Sequence, residues 1–117
     1  MTRINVGVKP VELTGKHLLA EHREIKRIPN AIKSGKYSLD GIPDNFKLGT
    51  GHVKFFYNKL GYLHNRYERI YKECLKRGYN VTYYGGAWDN IPIELMGNYT
   101  PTKEDREIIL QRIKDRL

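Results

Sequence analysis

The chain has 117 residues, enough for one core of ordinary size and too few for two. Lysine and arginine number 21 against 13 acids, a formal charge of +8. The single cysteine, Cys74, excludes an internal disulfide, a multi-cysteine zinc site and a four-cysteine iron–sulfur cluster. A positive excess attracts phosphate backbones whatever their sequence. Here it is concentrated, because residues 1–36 carry eight basic side chains against three acidic ones. No stretch has the apolar run of a signal peptide or a membrane span, so a cytoplasmic protein without membrane contact is expected.

Three segments carry helical periodicity and no pair of alternating strands stands out. This predicts an all-α fold, with residues 1–117 forming one compact domain of about three helices joined by long ordered loops. The first segment runs from about Thr14 to about Ile32, with Pro29 late enough to kink or end it. At ~100° per residue, His17, Glu21, Glu24 and Ile28 share one face. Leu18, Ile25 and Ile32 flank it on one side, and Lys16, Arg23 and Arg27 form a basic stripe on the other. Two carboxylates between an apolar edge and three cations suggest the floor of a site.

In the second segment Val53, Phe56, Leu60, Leu63, Tyr67, Ile70 and Cys74 follow alternating steps of three and four, the buried stripe of a long amphipathic helix. Gly78 ends it after Lys76-Arg77, and Asn58 is a candidate cap for a restart within a stretch beginning near Thr50. Residues 79–99, rich in glycine and aromatics, read as a long ordered loop. In it Tyr83, Tyr84 and Trp88 either pack onto the helices or form a stacking platform. The third helix is expected from about Thr102 to Arg116, opened by Pro101 and a Thr102/Asp105 capping box, with Ile109, Ile113 and Leu117 as its apolar edge.

The four histidines never repeat at i, i+4, and no Walker loop, dinucleotide fingerprint or serine elbow occurs, so neither metal nor cofactor is expected. The N-terminus offers a different chemistry. Thr2 is small enough for Met1 to be trimmed, which leaves an α-amine of pKa ~7.7–8.0 where a lysine would sit near ~10.4. Arg3, Arg23 and Arg27 would lower it further. Such an amine can attack deoxyribose C1′, displace the base and form an imine. A carboxylate such as Glu24 would then stabilise the positive charge and assist loss of the C2′ proton. The plainer role for Glu24 is an i, i+3 partner of Arg27, worth ~0.2–0.5 kcal/mol.

Five stretches carry a family resemblance: Met1-Thr2-Arg3-Ile4-Asn5; His17-Leu18-x-Ala20-Glu21-x-Arg23-Glu24 with Arg27; Leu48-Gly49-Thr50-Gly51-His52-Val53-x-Phe55-Phe56-Tyr57; Glu73-Cys74-Leu75-Lys76-Arg77-Gly78-Tyr79-Asn80; and, more weakly, Ile91-Pro92 with Gly97-x-Tyr99-x-Pro101. In this order they resemble the phage-type pyrimidine-dimer DNA glycosylases. The resemblance implies a mostly helical domain of a kind encoded by phage, which acts as a monomer on damaged double-stranded DNA and flips out a base. It implies an imine at Thr2, Glu24 as the catalytic carboxylate, and Arg3, Arg23 and Arg27 as phosphate and active-site contacts. Lys16, His17 and Glu21 join them as expected DNA-binding residues. His22 departs from a family tyrosine, the segment between Arg27 and Leu48 is shorter than in the T-even phage enzyme, and the aromatic tail of that enzyme has no counterpart here. The resemblance thus implies glycosylase and lyase chemistry and leaves the lesion open. A non-catalytic DNA-binding module on the same scaffold, and a metal-dependent nuclease using Glu21, Glu24 and His17, are the alternatives.

Overall fold

The structure is a computed structural model and describes residues 2–116. It is all-α, with no strand among the described residues. Four α-helices occur: α1 (Gly15–Glu24), α2 (Arg27–Lys33), α3 (Leu60–Lys76) and α4 (Lys103–Asp115). Short 3-10 turns at Pro10–Glu12, Lys54–Phe56, Gly85–Trp88 and Ile93–Leu95 punctuate the connections.

The first predicted helix is divided. The Thr14 hydroxyl caps α1 by accepting from the His17 N–H. The chain turns at Ile25–Lys26, because Pro29 has no N–H to offer the Ile25 carbonyl. The Ile28 N–H takes up that carbonyl instead, at 3.3 Å. The second predicted helix starts later than its apolar stripe. Val53 and Phe56 belong to a 3-10 turn, and α3 begins only at Leu60 with no side-chain cap, so Asn58 does not cap it. Gly61 explains the start. A Cβ there would lie 2.6 Å from the Met96 carbonyl, and this room lets the 96–97 chain cross and accept the Tyr62 N–H at Gly97.

From Leu60 the stripe behaves as predicted, with Leu63, Tyr67, Ile70 and Cys74 fully buried. The C-terminus of α3 closes with a Schellman motif: Gly78 sits at φ +81°, its N–H bonds to Leu75 and the Tyr79 N–H reaches Cys74. The Thr102/Asp105 capping box opens α4, and Ile109 is buried against the core. Leu117, expected on the same edge, lies outside the described residues.

The 79–99 segment packs. Trp88 is 4% exposed and lies between the rings of Tyr67 and His64, so it is no platform for an incoming base. The Tyr67 hydroxyl accepts the Tyr84 N–H at 2.7 Å and donates to His22 Nε2 at 3.0 Å. The histidine that departs from the family tyrosine thereby ties α1 to this loop from inside the core.

Candidate active site

The site is built on the first few residues. Ile4, Val6 and Val8 are buried in the core and hold residues 2–8 between the helices, with tight turns over 4–8 where the Val6 N–H bonds to the Ile4 carbonyl and the Val8 N–H to the Asn5 carbonyl. Three successive amides of this segment are each received by a side chain. The Arg3 N–H donates to Glu24 Oε1 at 3.0 Å, the Ile4 N–H to His52 Nε2 at 3.0 Å, and the Asn5 N–H to Glu21 Oε1 at 3.3 Å. Glu24 is thereby bonded to the peptide that joins Thr2 to Arg3. Met1, whose removal the amine chemistry requires, lies outside the described residues.

The two carboxylates of α1 do different things. Glu21 is 1% exposed and takes a two-pronged ion pair from Arg66 of α3, with the second contact, from Nη2, at 2.9 Å. It also accepts the Asn5 side-chain amide at 2.7 Å. Its oxygens are used up in the interior, and this corrects its expected place among the DNA contacts: Glu21 positions the N-terminal segment and does not face solvent. The Arg66 Nη1 donates on to the Val8 carbonyl, so one buried pair ties α1, α3 and the segment together. Glu24 is also buried, at 9% exposed, but accepts only the Arg3 N–H. No ion pair among the described residues joins it to Arg27, so the plainer expectation for Glu24 does not hold.

Cations gather near Glu24. Arg112 of α4 donates to Asn5 Oδ1 at 2.7 Å, and burial with Arg3 and Arg116 nearby pushes its pKa below the ordinary arginine value. His17 is held below its usual 6.5 by burial and by Lys16, Arg112, Arg116 and Arg3. Arg112 and Arg116 were not among the residues expected from sequence. Their signal is an arginine at i+3 and i+7 from the buried Ile109, on the edge of α4 that packs inward. Arg3, Arg112 and Arg116 line an open groove of about 970 Å³ together with Glu104, Glu107 and Asp115 and with Leu48, Gly49 and Ile108. Lys16, Arg23 and Arg27 are exposed, as the basic stripe predicts, and none forms an ion pair among the described residues.

Residues 1–83 match the family model described as pyrimidine dimer DNA glycosylase. The chain belongs to that family. The match takes in the N-terminal segment, α1, α2 and α3, and with them Thr2, Glu24, His52 and the Glu21–Arg66 pair. It leaves α4 outside, so Arg112 and Arg116 join the site through the geometry alone. As a member of the family the chain is a DNA-repair glycosylase with DNA as its substrate. The described residues contain no group of three His, Cys, Asp or Glu side chains that could hold a metal ion, and no helix long and apolar enough to cross a membrane.

Proposed function

We propose that the chain, acting as a single domain and a monomer, removes a base of a pyrimidine dimer from double-stranded DNA and then cuts the strand. The freed amine of Thr2 attacks C1′ of the damaged nucleotide. The C1′–N bond breaks, the base leaves with its electron pair and is protonated, and the opened sugar remains bound as a protonated imine. Glu24 stabilises this cation and receives the C2′ proton. The electron pair released at C2′ expels the 3′ phosphate by β-elimination, and water then hydrolyses the imine and frees Thr2. Arg3, Lys16, His17, Arg23 and Arg27 hold phosphates around the extruded nucleotide, with Arg112 and Arg116 beside them. Base extrusion costs a few kcal/mol and least at damaged pairs, so backbone contacts from this face offset it.

The observation that carries the proposal is the Arg3 N–H to Glu24 bond, which ties the carboxylate to the peptide next to Thr2. Borohydride added during turnover on a duplex with one pyrimidine dimer should join protein to DNA, with the link mapped by mass spectrometry to residue 2. Acetylating the α-amine should abolish the adduct. A crosslink at a lysine, or strand cleavage that survives acetylation, overturns the mechanism.

A further inference from the structure

The cradle around Arg3, Ile4 and Asn5 has one member that is neither acidic nor part of the chemistry above. His52 is 5% exposed, and its ring is fixed edge-on between Phe46 and Phe56, with centroids 5.4 and 5.5 Å away. Nδ1 lies 2.9 Å from the Lys47 carbonyl, an acceptor, so the proton sits on Nδ1 and Nε2 is left as the acceptor for the Ile4 N–H. Ile4 is fully buried and no water can replace this partner. We propose that His52 is a positioning residue for the nucleophile: its neutral ring fixes the peptide two residues from the Thr2 amine, and its protonation releases that segment and stops attack.

The inference rests on the amine chemistry proposed above. Two residues span at most ~7 Å, and the amine hangs from two held amides, the Arg3 N–H on Glu24 and the Ile4 N–H on His52. Reacting atoms must come within ~3–3.5 Å, and a misplacement of about 1 Å can cost ~10²-fold. A protonated Nε2 would point a second N–H at Ile4, two donors with no acceptor between them. Arg112 from α4 opposes that protonation, while Glu21 from α1 and the Lys47 carbonyl of the ring's own loop favour it. Burial, the largest influence, holds the His52 pKa below the ordinary 6.5.

The test compares His52→Gln with His52→Asn in the full chain, by rate of borohydride trapping on the dimer duplex across pH. Glutamine places an amide oxygen where Nε2 was and does not titrate, whereas asparagine reaches only the Nδ1 position. Expected are a loss approaching ~10²-fold for His52→Asn at unchanged DNA affinity, and recovery of most of that rate in His52→Gln. As pH falls below 6.5, the wild-type log rate should steepen by one proton relative to His52→Gln. The wild-type Ile4 amide resonance should shift with the same midpoint, a readout that stands even where His52→Asn does not fold. Equal rates for the two variants, equal pH slopes for wild type and His52→Gln, or an Ile4 amide that ignores pH would each overturn the inference while leaving the Thr2 adduct intact. A wild type that never forms an adduct at residue 2 overturns the amine mechanism, and this inference with it.

Discussion

Around Glu21 the molecule is closed and every acceptor is filled; Glu24, one turn further along the same helix, is buried as well but has a single hydrogen-bond partner and neighbours the arginines of an open groove. Glu21 meets Arg66, two groups of Asn5 and no solvent. Glu24 accepts one backbone N–H, that of Arg3, whose residue lines the groove. The side chains are identical, so any division of labour between them comes from environment alone. A carboxylate whose acceptors are filled by a buried guanidinium holds three elements in register. One left with a single backbone partner keeps capacity for a substrate.

The comparison breaks most visibly at Arg66. Arg66→Ala leaves Glu21 charged, buried and without its ion partner, a situation that costs about 3–5 kcal/mol. Urea denaturation should show that loss, and replacing Glu21 with leucine in the same chain should restore part of it. A loss under 1 kcal/mol would mean that Glu21 is not the structural member of the two. The second effect falls on rate. Glu24→Gln keeps the shape and an oxygen for the Arg3 N–H but removes the charge that, in the proposed mechanism, stabilises the imine, so strand cleavage should fall ~10²-fold or more. Unfolding midpoint and DNA affinity should stay near wild type. Near-wild-type cleavage by Glu24→Gln would remove Glu24 from the chemistry and make the two carboxylates alike.

Much of this division is legible in the sequence once core stripes are read for what does not belong in them. Glu21 follows Leu18 by three residues and precedes Ile25 by four, while Arg66 sits between Leu63 and Tyr67. A charge inside an apolar stripe needs a partner, and each stripe holds one of opposite sign. The apolar residues Ile4, Val6 and Val8 likewise mark a buried segment, but their alternation suggests a strand where the chain in fact makes tight turns through Gly7. The catalytic candidates Thr2 and Glu24 were found by amine chemistry and family motif; helical periodicity placed Glu24 near the right face and left Thr2 unplaced. What periodicity could not supply is long-range register. His52 meets Ile4 across 48 positions, and Arg112 meets Asn5 across 107. The late start of α3 depends on Met96 and Gly97 crossing at Gly61, which no window around Thr50–Leu60 contains.

The smallest expected effect tests how far the open region extends. Each phosphate neutralised by a cation contributes ~0.9 to the slope of log K against log salt. Arg27 is exposed at the start of α2 and makes no ion pair among the described residues, so its charge is available to DNA. Arg27→Gln should flatten the slope by about one unit. On sequence alone Arg116, near the chain's end, makes a natural neutral control. The structure removes it from that role, because Arg116 acts on both His17 and Arg112 and lines the groove beside Arg3. Arg116→Gln should therefore flatten the slope as Arg27→Gln does. A sounder control is Lys76, exposed in the last turn of α3. Lys76→Gln should leave the slope within a few tenths of wild type, since a cation that neutralises no phosphate releases no counterion. If all three variants give one slope, the cations act only through net charge and the open region is no DNA face. If Arg27 and Arg116 flatten it while Lys76 does not, the duplex spans from α2 to the end of α4, with Glu24 and the N-terminal segment between.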